Sequence, residues 1–420
     1  MSSQDLKALK DQKESLLKNF ESFKSRELAL DMTRGKPCPK QLDLALPMLT
    51  SVSETNYKAA NGTDCRNYGG LDGISEAKTL FSQYLEVNED EIVIGGNSSL
   101  NLMHDTMVNA MIYGVCDSEK PWGKLPKVKF ICPSPGYDRH FSICETLGIE
   151  MIVVSMDDNG PDMDQVEKLV SEDDSIKGIW CVPKYSNPTG ITYSDETVLR
   201  LSSMKTKASD FRIFYDNAYS YHHLTDERPK LSNILERCKE SGKPDRVFIF
   251  GSTSKITFAG GGLSMIGSSK TNIDYIKSKI AFQTIGPDKI NQLRHVRFFE
   301  DLAGLENHMV KHAQILKPKF EKVTEILEKE LSGLSIATWS DPKGGYFIDL
   351  DTMNGCATRV IALADEAGVK LTPAGSTYPL KKDPEDKNIR IAPSLPEVDE
   401  LELAMEVLSL CIKLATIEIA

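Results

Sequence analysis

Short apolar runs recur between about residues 90 and 250 and alternate with stretches whose apolar positions fall three and four apart. The runs at 91–94, 129–132, 151–154, 178–182, 213–215 and 247–250 are rich in valine, isoleucine and phenylalanine, as strands buried on both faces are. The intervals between them suit crossover helices, so the pattern predicts an α/β fold with a largely parallel sheet covered by helices on both faces. Ligands in such sheets bind beyond the carboxyl ends of the strands. Polar text follows five of the runs here: Ile94 leads into GGNSS, Cys132 into PSPGY, Val182 into PKYSNPTG, Tyr215 into DNAY and Phe250 into GSTSK.

The two ends of the chain read differently. Residues 5–24 carry an amphipathic helix pattern through Leu6, Leu9, Leu16, Phe20 and Phe23, followed by the Pro/Gly-bearing TRGKPCPK at 33–40. After about residue 300 come a long charged helix pattern at 305–332, a strand-like GYFIDLD at 345–351, a helix ending at Gly368 and a last helix near 397–416. This predicts a smaller α+β domain built from both termini. The expected division is an N-terminal segment with part of the small domain at 1–60, a large domain at 61–300 and a C-terminal small domain at 301–420.

Composition narrows the function classes. With 420 residues, 40% of them hydrophobic, the chain can bury a large core. A net charge of -11 with no basic block argues against nucleic acid as a partner. The N-terminus has no apolar signal core and no run approaches about 18 apolar residues, so a soluble, cytoplasmic protein without a membrane span is expected. Nine cysteines without a CxxC pair read as reduced thiols, mostly packed in the core.

Four segments carry the chemistry: SNPTG at 186–190, DNAY at 216–219, STSK at 252–255 and NIRIA at 388–392. Lys255 follows an apolar run and the small polar residues Ser252, Thr253 and Ser254, whose hydroxyls and amides could hold a phosphate; alone it reads equally as a surface lysine. Asp216 at a strand end either caps a helix or pairs with a pyridine nitrogen and keeps it protonated. Asn187 and Tyr219 can donate toward a phenolate oxygen, although SNPTG by itself is also a proline turn. Ala218 is small enough for a flat ring to lie against the strand ends. Arg390 offers a planar fork matched to an α-carboxylate, with a structural salt bridge as the other reading. Taken together these are the groups needed to hold pyridoxal phosphate (PLP) and an amino acid.

The motifs, in this order and with the flanking CRNYGGLDGI, GGNSSLNLMHD and CPSPGYDRHF, resemble the class I aminotransferases of PLP-dependent fold type I. They are most similar to a bacterial subgroup of aspartate aminotransferases, over about residues 30–395. The resemblance implies a large domain with a mostly parallel seven-stranded sheet. It implies transfer of the amino group of an amino acid, L-aspartate foremost, to 2-oxoglutarate through a Schiff base on Lys255. Asp216 would sit on the pyridine nitrogen, Asn187 and Tyr219 on the phenolic oxygen, and Asn97, Ser98, Ser99, Ser252 and Ser254 on the phosphate. Arg390 would take the α-carboxylate and Gly35 would lie beside the substrate. Tyr68 would reach the phosphate of the neighbouring subunit of a homodimer with shared active sites.

The chain departs from the family pattern in three places. The usual phosphate-gripping arginine eight residues beyond the lysine is replaced by Leu263 or Ser264. Pro135 stands at the direct position of the ring that stacks on the cofactor, and Tyr137, two residues on, is the expected substitute. The arginine for a distal carboxylate is open among Arg34, Arg139, Arg294 and Arg297. His308 and His312, four apart on a helix, lack a third ligand and a general-base glutamate, so they are read as a solvated helix face with no metal. Neither GGLDG nor AGGGL has the spacing of a dinucleotide loop. Rival readings are another amino-acid specificity, a β-lyase or synthase on the same fold, and a PLP-sensing regulator module, disfavoured because too few residues precede the motifs for a DNA-binding domain.

Overall fold

In the computed structural model, which describes residues 10–419, the strands are β1 (Leu30–Asp31), β2 (Ile92–Ile94), β3 (Lys129–Ser134), β4 (Glu150–Asp157), β5 (Gly160–Pro161), β6 (Ile176–Cys181), β7 (Arg212–Asp216), β8 (Val247–Ser252), β9 (Ser264–Gly267), β10 (Ala337–Trp339), β11 (Ile348–Thr352), β12 (Val369–Lys370) and β13 (Asn388–Ile391). The central sheet has the order β2-β9-β8-β7-β6-β3-β4-β5. Strands β3, β4, β6, β7 and β8 pair in parallel, while β9 runs antiparallel to both β2 and β8. Seven strands form the body, and the two-residue β5 adds an eighth at the edge, antiparallel to β4.

All six apolar runs are strands. β6, β7 and β8 are buried at every residue, which is why they read as continuous apolar text rather than as an alternation. β9 was not foreseen. Its four residues, SMIG, include serine and glycine, and its place is set by the ladders on either side rather than by its own propensity.

Two apolar clusters cover the sheet, one on each face. One joins Phe81, Ile179, Val198, Ile213 and Ile249; the other joins Met103, Phe130, Trp180, Phe214 and Phe250. The helix Ser99–Tyr113 contributes Met103, Met107 and Ala110 at helical spacing, and Ser98 caps it by accepting the Leu100 N–H at 3.2 Å. Successive connections run β3 to β4 in one direction and β6 to β7 to β8 in the other, so the strand order reverses between β3 and β6. At such a reversal the loops beyond the carboxyl ends part and leave a crevice.

Both ends of the chain build a third cluster. Leu16 and Phe20 of the helix Lys13–Lys24 pack with Phe320 and Leu327 of the helix Leu302–Leu331, with β11 and β13, and with the helix Val398–Ile419. β1 pairs in parallel with β12, tying residues 30–31 to residues 369–370. Residues 5–9 of the expected first helix lie outside the described residues. Among the described residues no helix is long and apolar enough to cross a membrane.

The paired histidines are a correction. His308 and His312 are both buried, not on a solvated face, and their Nε2 atoms lie 3.0 Å apart. A 30-residue helix that packs along two sides hides residues that a single apolar stripe leaves facing water.

Candidate active site

The crevice collects the strand-end motifs. Asp216, the last residue of β7, does not cap a helix: its Oδ2 meets His140 Nε2 at 3.1 Å, and its Oδ1 is buried without a partner. A buried carboxylate oxygen with nothing to accept from is costly unless a donor arrives, so the site is built for an N–H, and a protonated ring nitrogen is such a donor. His140, on the helix Asp138–Thr146, was missed by sequence reasoning; its ring stacks on Trp180 with centroids 4.3 Å apart and planes 8° apart. Nothing in the local text CPSPGYDRHF distinguishes it from a core histidine.

Lys255 follows β8, with its Nζ 4.9 Å from the centroid of the Tyr219 ring and 5.9 Å from that of Tyr346. Burial pushes both tyrosine hydroxyls well above their ordinary range, so they remain donors at neutral pH. Buried His222 stands 3.4 Å from the Lys255 carbonyl, and burial together with the Lys255 charge keeps its imidazole neutral. Tyr137 lies partly buried at the start of the helix Asp138–Thr146, edge-on to His140 at 5.0 Å, its hydroxyl pushed up to about 12 by burial. Ala218 is also partly buried, against the same cluster as Tyr137.

Arg390 on β13 is buried and only loosely held. Nη1 donates to Asp138 Oδ1 at 3.2 Å and to Asn187 Oδ1 at 3.4 Å, Nη2 donates to Thr372 at 3.4 Å, and Nε is buried without a partner. The guanidinium lies 4.9 Å from the centroid of the Phe347 ring. Gly35 faces the same ring, and a Cβ there would stand 2.6 Å from Phe347 Cζ. One nitrogen of Arg390 is salt-bridged to Asp138, while Nε has no partner.

At the other end of the crevice, Asn97, Ser98 and Ser99 start the helix Ser99–Tyr113, and Ser254 Oγ donates to the Asn97 carbonyl at 3.2 Å. Gly262 lets these backbones meet, since a Cβ there would stand 3.2 Å from both Asn97 O and Ser254 Cα. Thr253 turns inward to His295 at 3.0 Å, leaving Ser252 and Ser254 on the opposite side of the backbone. Leu263 is buried and Ser264 Oγ donates to the Gly96 carbonyl, so neither supplies a cation at this end. Backbone N–H groups of a helix start and a set of hydroxyls make an anion site without an arginine.

Tyr68 is 81% exposed. Of the four arginines open for a distal carboxylate, Arg297 is committed to the carbonyls of Ser51, Asn56 and Lys58. Arg34 and Arg139 are exposed, and Arg294 is half-buried with an unpartnered Nε.

A family model described as aspartate amino-transferase matches residues 1–420. The chain belongs to the aspartate aminotransferase family. It is 49% identical over 405 residues to an aspartate aminotransferase of Corynebacterium glutamicum, covering 96% of this chain and 94% of that one. A crystal structure of an aspartate transaminase from Corynebacterium glutamicum superposes with a TM-score of 0.96 at 48% identity, covering 98% of this chain and 97% of that one. An α-aminoadipate aminotransferase from Thermus thermophilus, complexed with N-(5'-phosphopyridoxyl)-L-leucine, shares the fold with a TM-score of 0.76 at 17% identity over 94% of this chain and 95% of that one. The α/β fold with its mostly parallel sheet is thus an aminotransferase fold, and the chain is an aminotransferase.

Proposed function

We propose that this aminotransferase uses PLP to move the amino group of L-aspartate to 2-oxoglutarate, giving oxaloacetate and L-glutamate. The observation that carries the reading is the orphaned, buried Asp216 Oδ1 at a strand end in the same crevice as Lys255, Tyr219 and Arg390. The 49% identity to an aspartate aminotransferase supports the donor. When bound, PLP supplies an electron sink at the substrate α-carbon, provided its ring nitrogen stays protonated.

The residues divide the remaining work. Asp216 Oδ1 would accept the ring N–H, with His140 fixing the carboxylate through Oδ2. Asn187 and Tyr219 would donate to the ring oxygen, and Tyr137 and Ala218 would line the ring. Asn97, Ser98, Ser99, Ser252 and Ser254 would hold the phosphate with hydroxyls and amides, in place of the arginine whose position Leu263 or Ser264 takes. Lys255 Nζ would anchor the cofactor and, as a free amine, would hold and move the proton at the substrate α-carbon. Arg390 binds the α-carboxylate beside Gly35.

A homodimer completes the site. Tyr68, Phe282 and Ile285 are 81%, 89% and 63% exposed, and the Gly69 backbone lies close to Gly286, so these exposed residues come from two segments that approach each other. A second copy covers them and receives Tyr68 at its phosphate. Nine free thiols, eight of them buried, support a cytoplasmic location, and amino-acid metabolism is the process served.

The test is the visible absorption of the purified, PLP-loaded protein on addition of L-aspartate without an oxo acid. A shift of the cofactor band to that of the aminated form supports the reading. A band unmoved by aspartate but moved by another amino acid replaces the donor, and absence of a band after PLP addition overturns the cofactor. Release of ammonia, pyruvate and a thiol from an S-substituted cysteine, without consumption of 2-oxoglutarate, would favour a β-lyase.

A further inference from the structure

A buried polar chain lies behind Lys255, and none of the roles above uses it. Gln41, on the short helix Pro39–Asp43, is fully buried. Its Oε1 accepts the Cys38 N–H at 3.1 Å, which fixes the orientation of the amide. Its Nε2 therefore donates, to His312 Nδ1 at 3.0 Å and to the Tyr346 hydroxyl at 2.9 Å. Accepting at Nδ1 makes His312 the Nε2–H tautomer. His308 Nε2 stands 2.7 Å from the Ile256 carbonyl, so it carries its proton there as well.

The two imidazole Nε2 atoms thus lie 3.0 Å apart beside the Ile256 carbonyl, which His308 meets at 2.7 Å. A proton added to either ring would place a cation in a buried site, which is why both imidazoles are held below their ordinary range, His312 at about 3. The pair is a neutral clamp, not a metal site or a switch at physiological pH. Next to it, the Tyr346 hydroxyl donates to the Lys255 carbonyl at 3.4 Å, opposite His222 at 3.4 Å.

The segment that carries Gln41 also carries Gly35. Gly35 rests on the Phe347 ring, and the Arg390 guanidinium lies on that same ring. Thr372 and Ser394 hold the segment by donating to the carbonyls of Thr33 at 2.7 Å and Lys36 at 2.8 Å. Residues 33–41 therefore touch Arg390's platform at one end and the Lys255 peptide at the other, through the neighbours Phe347 and Tyr346.

We propose that Gln41 is a positioning residue for Lys255: through Tyr346 and the His308–His312 pair it ties the segment beside Arg390 to the backbone that aims the lysine. The inference rests on the roles proposed above for Lys255 and Arg390. Seating of a carboxylate on Arg390 and the aim of Lys255 Nζ are then mechanically coupled, although the two residues are 135 apart in sequence (390 − 255).

The test uses Gln41→Met, similar in length but without the amide, and Tyr346→Phe, which removes one hydroxyl. Two readouts are taken: the rate at which Lys255 of the cofactor-free protein is labelled by an acylating reagent, followed by mass spectrometry, and kcat and KM of the PLP-loaded enzyme. Both variants are expected to change the labelling rate severalfold and to lower kcat about tenfold, with KM for the amino acid within about twofold of the parent. The double variant should do little more than either single one. A lowered Tm with unchanged labelling and an unchanged kcat-to-KM pattern overturns the proposal, and so does an unchanged Tyr346→Phe protein if Gln41→Met does not fold. Failure of the parent to take up PLP would sink the functional reading instead, and the labelling comparison would still report on the coupling.

Discussion

His140 Nε2 lies 3.1 Å from Asp216 Oδ2, and the imidazole is sandwiched against Trp180 at 4.3 Å, so one oxygen of the carboxylate is pinned while the other faces the crevice. Asp216→Asn leaves the shape but cannot hold a ring nitrogen protonated. Turnover should fall about a thousandfold, ~4 kcal/mol of barrier. His140→Leu keeps the charge but frees the carboxylate, and a loss of about ten- to a hundredfold in kcat is expected. Steady-state kinetics of the two variants check the order, and equal losses would argue against a purely orienting role for His140.

Lys255→Ala should still bind PLP, since the phosphate and ring contacts proposed above fall to other residues, while turnover drops by several orders of magnitude. Absorption spectra with single-turnover kinetics provide the check. Near-normal turnover would remove Lys255 from the chemistry.

Arg390 keeps unpartnered donors beside Phe347, and Gly35 closes on the same ring. Arg390→Lys loses the fork, and KM for both amino acid and oxo acid should rise about ten- to a hundredfold, corresponding to ~1.5–3 kcal/mol for a charge-assisted contact. Gly35→Ala pushes Phe347 off its place and should raise KM in the same direction. A KM unchanged in both variants would move the carboxylate elsewhere.

Buried histidines weaken the fold as pH falls. His222, His295, His308 and His312 are all held below the ordinary imidazole value of 6.5, first by burial, His295 at about 4 and His312 at about 3. In the unfolded chain they take up protons as pH falls through about 6.5, while the folded chain does not. Stability is therefore full above that value and declines below it, by about 1.4 kcal/mol per pH unit for each histidine until its folded value is reached. Chemical denaturation from pH 7 to pH 4 measures the slope. His295→Gln should flatten it, and an unchanged slope would mean that other groups carry the acid response.

The sequence by itself determined the sheet and which polar segments stand at its strand ends. β6, β7 and β8 are buried on both faces, so each appears as an uninterrupted apolar run, and the crevice beyond them is marked by the polar residues that follow. Lys255, Asp216, Asn187 and Tyr219 stand out in the sequence as candidates because each lies in or just beyond the polar text that follows an apolar run. Tertiary structure alone decided the rest. β9 forms because two neighbouring ladders hold it, His308 and His312 are buried because their helix packs along two sides, and His140 meets Asp216 across 76 residues. Gln41 reaches Tyr346 across 305 residues. Hydrophobic period encodes which face of an element is buried, a local property. A hydrogen bond between distant side chains depends on where two elements meet, and no local pattern records that.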